Sequence, residues 1–121
     1  MDNLETQKLK IGFLNINGLV GETTFDPKFS DIIKTYDIIT LTETWHQNSE
    51  CIKKIKGNFP KDYRFIDNAR KKKNKKSKRN SGGILVCYKK WLHENIVTLD
   101  KTTENMIWLK VKKEYLNAEK K

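Results

Sequence analysis

Apolar residues Leu9, Ile11, Phe13 and Leu14 cluster in residues 8–15 between polar flanks, which predicts a short buried strand. Asn17-Gly18 follows, a turn pair that tolerates positive φ, and a loop runs over 19–26. Asp26-Pro27 reads as an N-cap and first helical residue. Phe29, Ile32, Ile33 and Tyr36 then recur at i, i+3, i+4 and i+7, one face of a short helix. Residues 37–42, rich in β-branched side chains, predict a second strand that stops at Glu43-Thr44-Trp45-His46. Strand, helix and strand with short links form a βαβ unit, so these two strands are expected to be parallel neighbours.

Further along, 49–56 reads as a helical turn, 57–61 as a breaker and 63–67 as an alternating strand. No apolar residue occurs from 70 to 81. The run 82–88 (GGILVCY) predicts a central strand, closed by 89–92. Residues 96–99 and 105–111 predict two more strands across a turn at 100–104, the second extending toward Leu116, before a polar tail at 117–121. Trp91 and Trp108 are assigned to the core. Trp45 is left between stacking on a nucleotide and packing in its loop. His46 and His93 are read as surface or strand-edge residues.

The formal net charge of +10 comes from 25 Lys and Arg against 15 Asp and Glu. Residues 70–79 (RKKKNKKSKR) hold eight of those cations and no acid, so the rest carries 17 against 15, a net of +2. One arm, spanning 69–81 as a basic loop, makes a nearly neutral body basic. Lys71, Lys72, Lys73, Lys75, Lys76, Lys78 and Arg79 are therefore candidates for sequence-independent contact with nucleic-acid phosphates, DNA first and RNA second. A solvated lysine-rich loop is the plain alternative. No apolar run reaches the roughly 18–20 residues of a membrane-spanning helix, so no membrane partner is expected. The polar start at 1–10 argues against a secretory signal, which favours nucleus or cytoplasm. Cys51 and Cys87 have no metal-binding spacing, and Cys87 reads as a buried hydrophobe.

Asn15 and Glu43 each end a predicted parallel strand, where ligand sites of open α/β sheets gather. One carboxylate beside amide oxygens suits a hard cation such as Mg²⁺. By spacing alone, a turn asparagine and a solvated glutamate explain the same residues.

Three segments in order, KIGFLNINGL, DIITLTETW and SGGILVCYKKWL, resemble the endonuclease/exonuclease/phosphatase family, nearest the AP-endonuclease-like domains of non-LTR retrotransposons. The resemblance implies a DNase I-like, two-sheet α/β sandwich, with this chain covering its N-terminal portion. It implies a phosphodiesterase of the retroelement DNA-endonuclease type, with Glu43 as principal ligand of Mg²⁺ (Mn²⁺ is the alternative) and Asn15 in the metal and phosphate site. Asn17 stands where many members have Asp, which weakens its claim as a ligand. The family's later Tyr loop, Asp-x-Asn segment and terminal Asp-His pair have no counterpart here, so this chain alone is expected to be inactive. The alternatives are a truncated retroelement product that binds nucleic acid through the arm, and a phosphatase of the same family. A missing second sheet would leave Ile11, Phe13, Ile39, Leu41, Leu85 and Cys87 uncovered and promote self-association.

Overall fold

A computed structural model describes residues 9–19, 26–69, 82–101 and 106–112. The basic run at 70–79, most of the 100–104 turn and the 113–121 tail lie outside the described residues. Strand β1 (Ile11–Asn15) is followed by helix α1 (Pro27–Lys34) and strand β2 (Ile38–Thr42). Helix α2 (Ser49–Ile55) runs into a 3₁₀ turn, Lys56–Asn58. Strands β3 (Tyr63–Asn68) and β4 (Ile84–Lys89) follow, then a 3₁₀ turn at Lys90–Asn95 and strands β5 (Ile96–Asp100) and β6 (Trp108–Val111).

The four-stranded sheet has the order β1-β2-β4-β3. β1 and β2 are parallel, as the βαβ reading requires, and β4 runs antiparallel to both β2 and β3. Ile84–Tyr88 of β4 is buried on both faces, which is why its sequence shows an unbroken apolar run. Helix α1 begins where expected: the Asp26 side chain accepts from the Lys28 amide at 3.0 Å, and Pro27 opens the first turn. Removing that cap with Asp26→Ala is expected to cost about 1 kcal/mol in denaturant unfolding.

Strand register sorts the side chains into two layers. Gly12 and Leu14 lie beside Ile39 and Leu41, which pair in turn with Cys87 and Leu85. This face packs under the helices, against Phe29, Ile33, Ile52 and Phe59. Phe29, Phe59 and Phe65 form a chain of edge-to-face contacts with centroids 5.2 and 4.9 Å apart. On the opposite face Ile38, Ile84, Val86 and Tyr88 pack with Leu92 and with Ile96, Ile107, Leu109 and Val111 of the β5–β6 region. The molecule is thus helices, sheet and second small sheet in three layers.

Three expectations are corrected. Ile39, Leu41, Leu85 and Cys87 are fully covered by the helices, whereas Ile11 and Phe13 belong to the other face and are exposed, Phe13 at 77%. The six residues do not share one open face, because an offset of one residue in pairing reverses which side each contacts. Trp108 is 58% exposed and not core, since Ile107, Leu109 and Val111 alternate inward around it. Ile32 is exposed, so α1 buries only Phe29 and Ile33.

The Tyr63 hydroxyl donates across to α1, reaching the carbonyls of Ile33, at 2.7 Å, and Tyr36. Its one proton lies between these two acceptors at the end of α1, where the Ile33 carbonyl also accepts from the Tyr36 amide at 3.1 Å. Burial, and then the nearby carboxylates of Asp62 and Asp37, push the Tyr63 phenol far above its ordinary range. Burial likewise pushes up the Cys87 thiol. Both groups ionise first in the unfolded chain. Their contribution is therefore intact below the unfolded values, about 8.5 for Cys and about 10 for Tyr, and is lost as pH rises above them. Thermal unfolding should show a midpoint falling steadily above about pH 9, with a shallower fall in Tyr63→Phe.

Candidate metal and phosphate site

Three chain segments meet at one end of the sheet. The first is the loop after β1. The Asn15 side-chain oxygen accepts from the Asn17 amide at 3.1 Å, closing an Asx turn. Asn17 takes φ 50° and Gly18 φ 102°, as the Asn-Gly pair predicts. The second segment is 43–46 after β2. It is sewn to the first by Gly18 N–H to Glu43 O, at 2.8 Å, and Leu19 N–H to Thr44 O, at 2.9 Å. The third is Gly82-Gly83, entering β4. Their carbonyls accept from Trp45 N–H, at 2.9 Å, and Thr44 N–H, at 3.3 Å.

Glu43 and Trp45 both have positive φ, 55° and 63°. Such backbone costs roughly 1–3 kcal/mol per non-glycine residue and persists only where the surroundings impose it. Here two strained residues flank Thr44 at the carboxyl end of β2, between two glycine turns. The effect is to orient one carboxylate. Glu43 Oε2 accepts from the Gly82 amide at 3.1 Å, and Oε1 from the Trp45 indole N–H at 3.3 Å. Each oxygen keeps lone-pair capacity beyond those bonds. Trp45 lies against Gly18, where a β-carbon would sit 2.6 Å from its ring. Trp45 thus packs in its loop and donates to the Glu43 carboxylate.

Asn15 and Thr42 are register partners across β1 and β2, so Asn15 and Glu43 end adjacent strands at the same place. Asn17 contributes its backbone amide to the turn. Among the described residues, no group of three His, Cys, Asp or Glu side chains is placed to hold a metal ion. The candidate donors at this end of the sheet are the Glu43 carboxylate and the Asn15 side-chain oxygen, which close adjacent strands. That set fits Mg²⁺, which keeps several waters and takes one or two carboxylates with substrate phosphate, and does not fit the nitrogen and sulfur cages of zinc.

His46 differs from its expected surface placement. It is buried at 5% exposure, with Nε2 2.9 Å from Asp67 Oδ2 and Nδ1 against the Thr44 hydroxyl. Ser49 donates to the same Asp67 carboxylate. No local pattern announces this cluster, because His46 and Asp67 are 21 residues apart and meet only through the sheet. His93 is exposed, as expected, and its ring stacks on Tyr88. The cationic candidates Lys71 to Arg79 lie outside the described residues.

The layered arrangement defines a DNase I-like α/β fold. A solved structure of an AP endonuclease from Leishmania major has this fold and aligns with the chain at a TM-score of 0.51 and 22% identity. The alignment covers 70% of this chain and 26% of that one, so the chain spans about a quarter of its neighbour's length. No family model and no curated protein matches the chain. No helix among the described residues is long and apolar enough to cross a membrane.

Proposed function

We propose that this chain forms the metal-binding part of a Mg²⁺-dependent phosphodiesterase acting on DNA, of the retroelement endonuclease type. The observation that carries the reading is the strained Glu43 loop, with its carboxylate held by Gly82 and Trp45 at the end of the strand that neighbours the one Asn15 closes. Glu43 and Asn15 would hold the ion, with Mn²⁺ as a substitute. When bound, the ion would polarise a phosphoryl oxygen and stabilise the departing oxygen of an in-line displacement. Glu43 supplies the fixed negative charge, and the Asn15 amide supplies a neutral oxygen. Nicking of supercoiled plasmid in Mg²⁺, in Mn²⁺ and in EDTA, with a single-stranded RNA in parallel, tests the reading. The chain alone is expected not to nick, so the supporting result is saturable Mg²⁺ binding that is lost in Glu43→Gln, and metal-dependent nicking lost in that variant supports the reading equally. Nicking that persists in EDTA or in Glu43→Gln contradicts it.

The run at 70–79 favours a second reading, non-catalytic binding of nucleic acid. Duplex binding through this run is expected to weaken steeply with salt, with a log–log slope shallower by about 0.9 for each phosphate contact removed. Replacing Lys71, Lys72 and Lys73 with Gln, followed by anisotropy at several salt concentrations, should flatten the slope by up to about 2–3. An unchanged slope would exclude those lysines from the contact.

A further inference from the structure

His46 is buried, and the metal-holding chemistry above leaves it without a role. Its two ring nitrogens face different partners: Nε2 meets Asp67 and Nδ1 meets Thr44. A carboxylate only accepts, so Nε2 carries the proton toward Asp67. In the neutral ring Nδ1 then accepts from the Thr44 hydroxyl. Ser49 Oγ donates to the same carboxylate, 3.1 Å from Oδ1 and 3.0 Å from Oδ2. The result is a one-directional chain from Thr44 through His46 to Asp67, closed by Ser49.

We infer that His46 and Asp67 form a clasp that positions Glu43. Thr44 sits between the two left-handed residues Glu43 and Trp45. A loop with two such residues relaxes unless its surroundings hold it. The Gly82 and Gly83 carbonyls hold its backbone, and His46 holds its one buried side chain. Gly83 is fitted to the same pair: a β-carbon there would lie 2.3 Å from Thr44 Oγ1 and 3.2 Å from His46 Nδ1. Asp67 lies at the end of β3 and Ser49 opens α2, so the clasp ties an outer strand and a helix to the segment that bears Glu43. His46 is a positioning residue in this role. The inference rests on the reading of Glu43 as a metal ligand, yet the clasp itself can be measured without metal.

Amide hydrogen exchange by NMR makes that measurement. His46→Ala is expected to speed exchange about tenfold to a hundredfold at Gly18, Leu19, Thr44 and Trp45, relative to the β2–β4 ladder. Asp67→Ala should give the same pattern. Asp67→Asn keeps an acceptor for Nε2–H and should remain close to wild type. Ile33→Ala, a core truncation on α1, should instead raise exchange throughout. A uniform rise in His46→Ala, or no selective change at the four amides, would overturn the clasp. If His46→Ala does not fold, an Asp67→Asn protein with all four amides freed would overturn it equally. Titration with Mg²⁺ supplies the second readout. His46→Ala should bind about tenfold to a hundredfold more weakly, the range seen when supporting partners of a metal ligand are removed, while Ile33→Ala binds as wild type. Selective loosening in a protein that never bound Mg²⁺ would uphold the clasp and defeat the ligand reading of Glu43.

Discussion

Glu43→Gln is expected to reduce Mg²⁺ affinity about a hundredfold or more in calorimetric titration, with little loss of stability. Loss of a supporting partner alone typically costs a metal site about 10–100-fold. Here the substitution removes the one carboxylate of the proposed ligand pair. Glutamine keeps an oxygen that accepts from Gly82 N–H or from the Trp45 indole, and it has the same length. The left-handed loop should therefore survive, and the change should read as lost charge. Asn15→Ala should weaken binding less, because a neutral oxygen is lost, and it also frees the Asn17 amide that closes the turn. Equal affinity in wild type and Glu43→Gln would show that the carboxylate does not hold the ion.

Gly83→Ala is expected to destabilise the protein by about 2–5 kcal/mol. At φ 94° an L side chain is strained before any contact is considered. The added methyl would also lie 2.3 Å from Thr44 Oγ1 and 3.1 Å from the Trp45 backbone nitrogen. The Thr44 hydroxyl is held by His46, and a backbone nitrogen has no rotamer to change, so neither neighbour yields freely. Thermal unfolding should shift by roughly 10 °C or more. Gly57→Ala is the contrasting case. Its β-carbon would meet nothing within 4 Å, so a neutral or slightly positive effect is expected. Equal tolerance of alanine at both glycines would mean that β4 does not enter the sheet against the Thr44 loop.

Local signals in the sequence carried the elements well. Asp26-Pro27 marks the start of α1, β-branched 38–42 marks β2, and the unbroken apolar 84–88 marks a strand buried on both faces. Asn15 and Glu43 could be placed together because parallel neighbours end at the same edge. Register was less legible. Ile11 and Ile39 look alike in sequence, yet pairing of Ile11 with Ile38 sends them to opposite faces. Trp108 faces outward for a related reason, since hydrophobicity does not tell which parity of a short strand faces in. The His46–Asp67 pair was hidden more completely. Its members are polar and distant in sequence, and only the β2-β4-β3 order brings them together. The signal that stood closest was Thr44-x-His46 directly after the Glu43 motif.

Backbone NMR of the protein titrated with Mn²⁺ tests the central claim most directly, because a paramagnetic ion broadens the amides nearest to it first. The expected result is early broadening at Gly82, Gly18, Thr44 and Trp45, with Ile38, Tyr63 and Lys89 at the opposite end of the sheet unaffected, and no selective broadening in Glu43→Gln. Broadening centred elsewhere, or the same pattern in Glu43→Gln, would contradict the assignment of Glu43 as the residue that holds the ion.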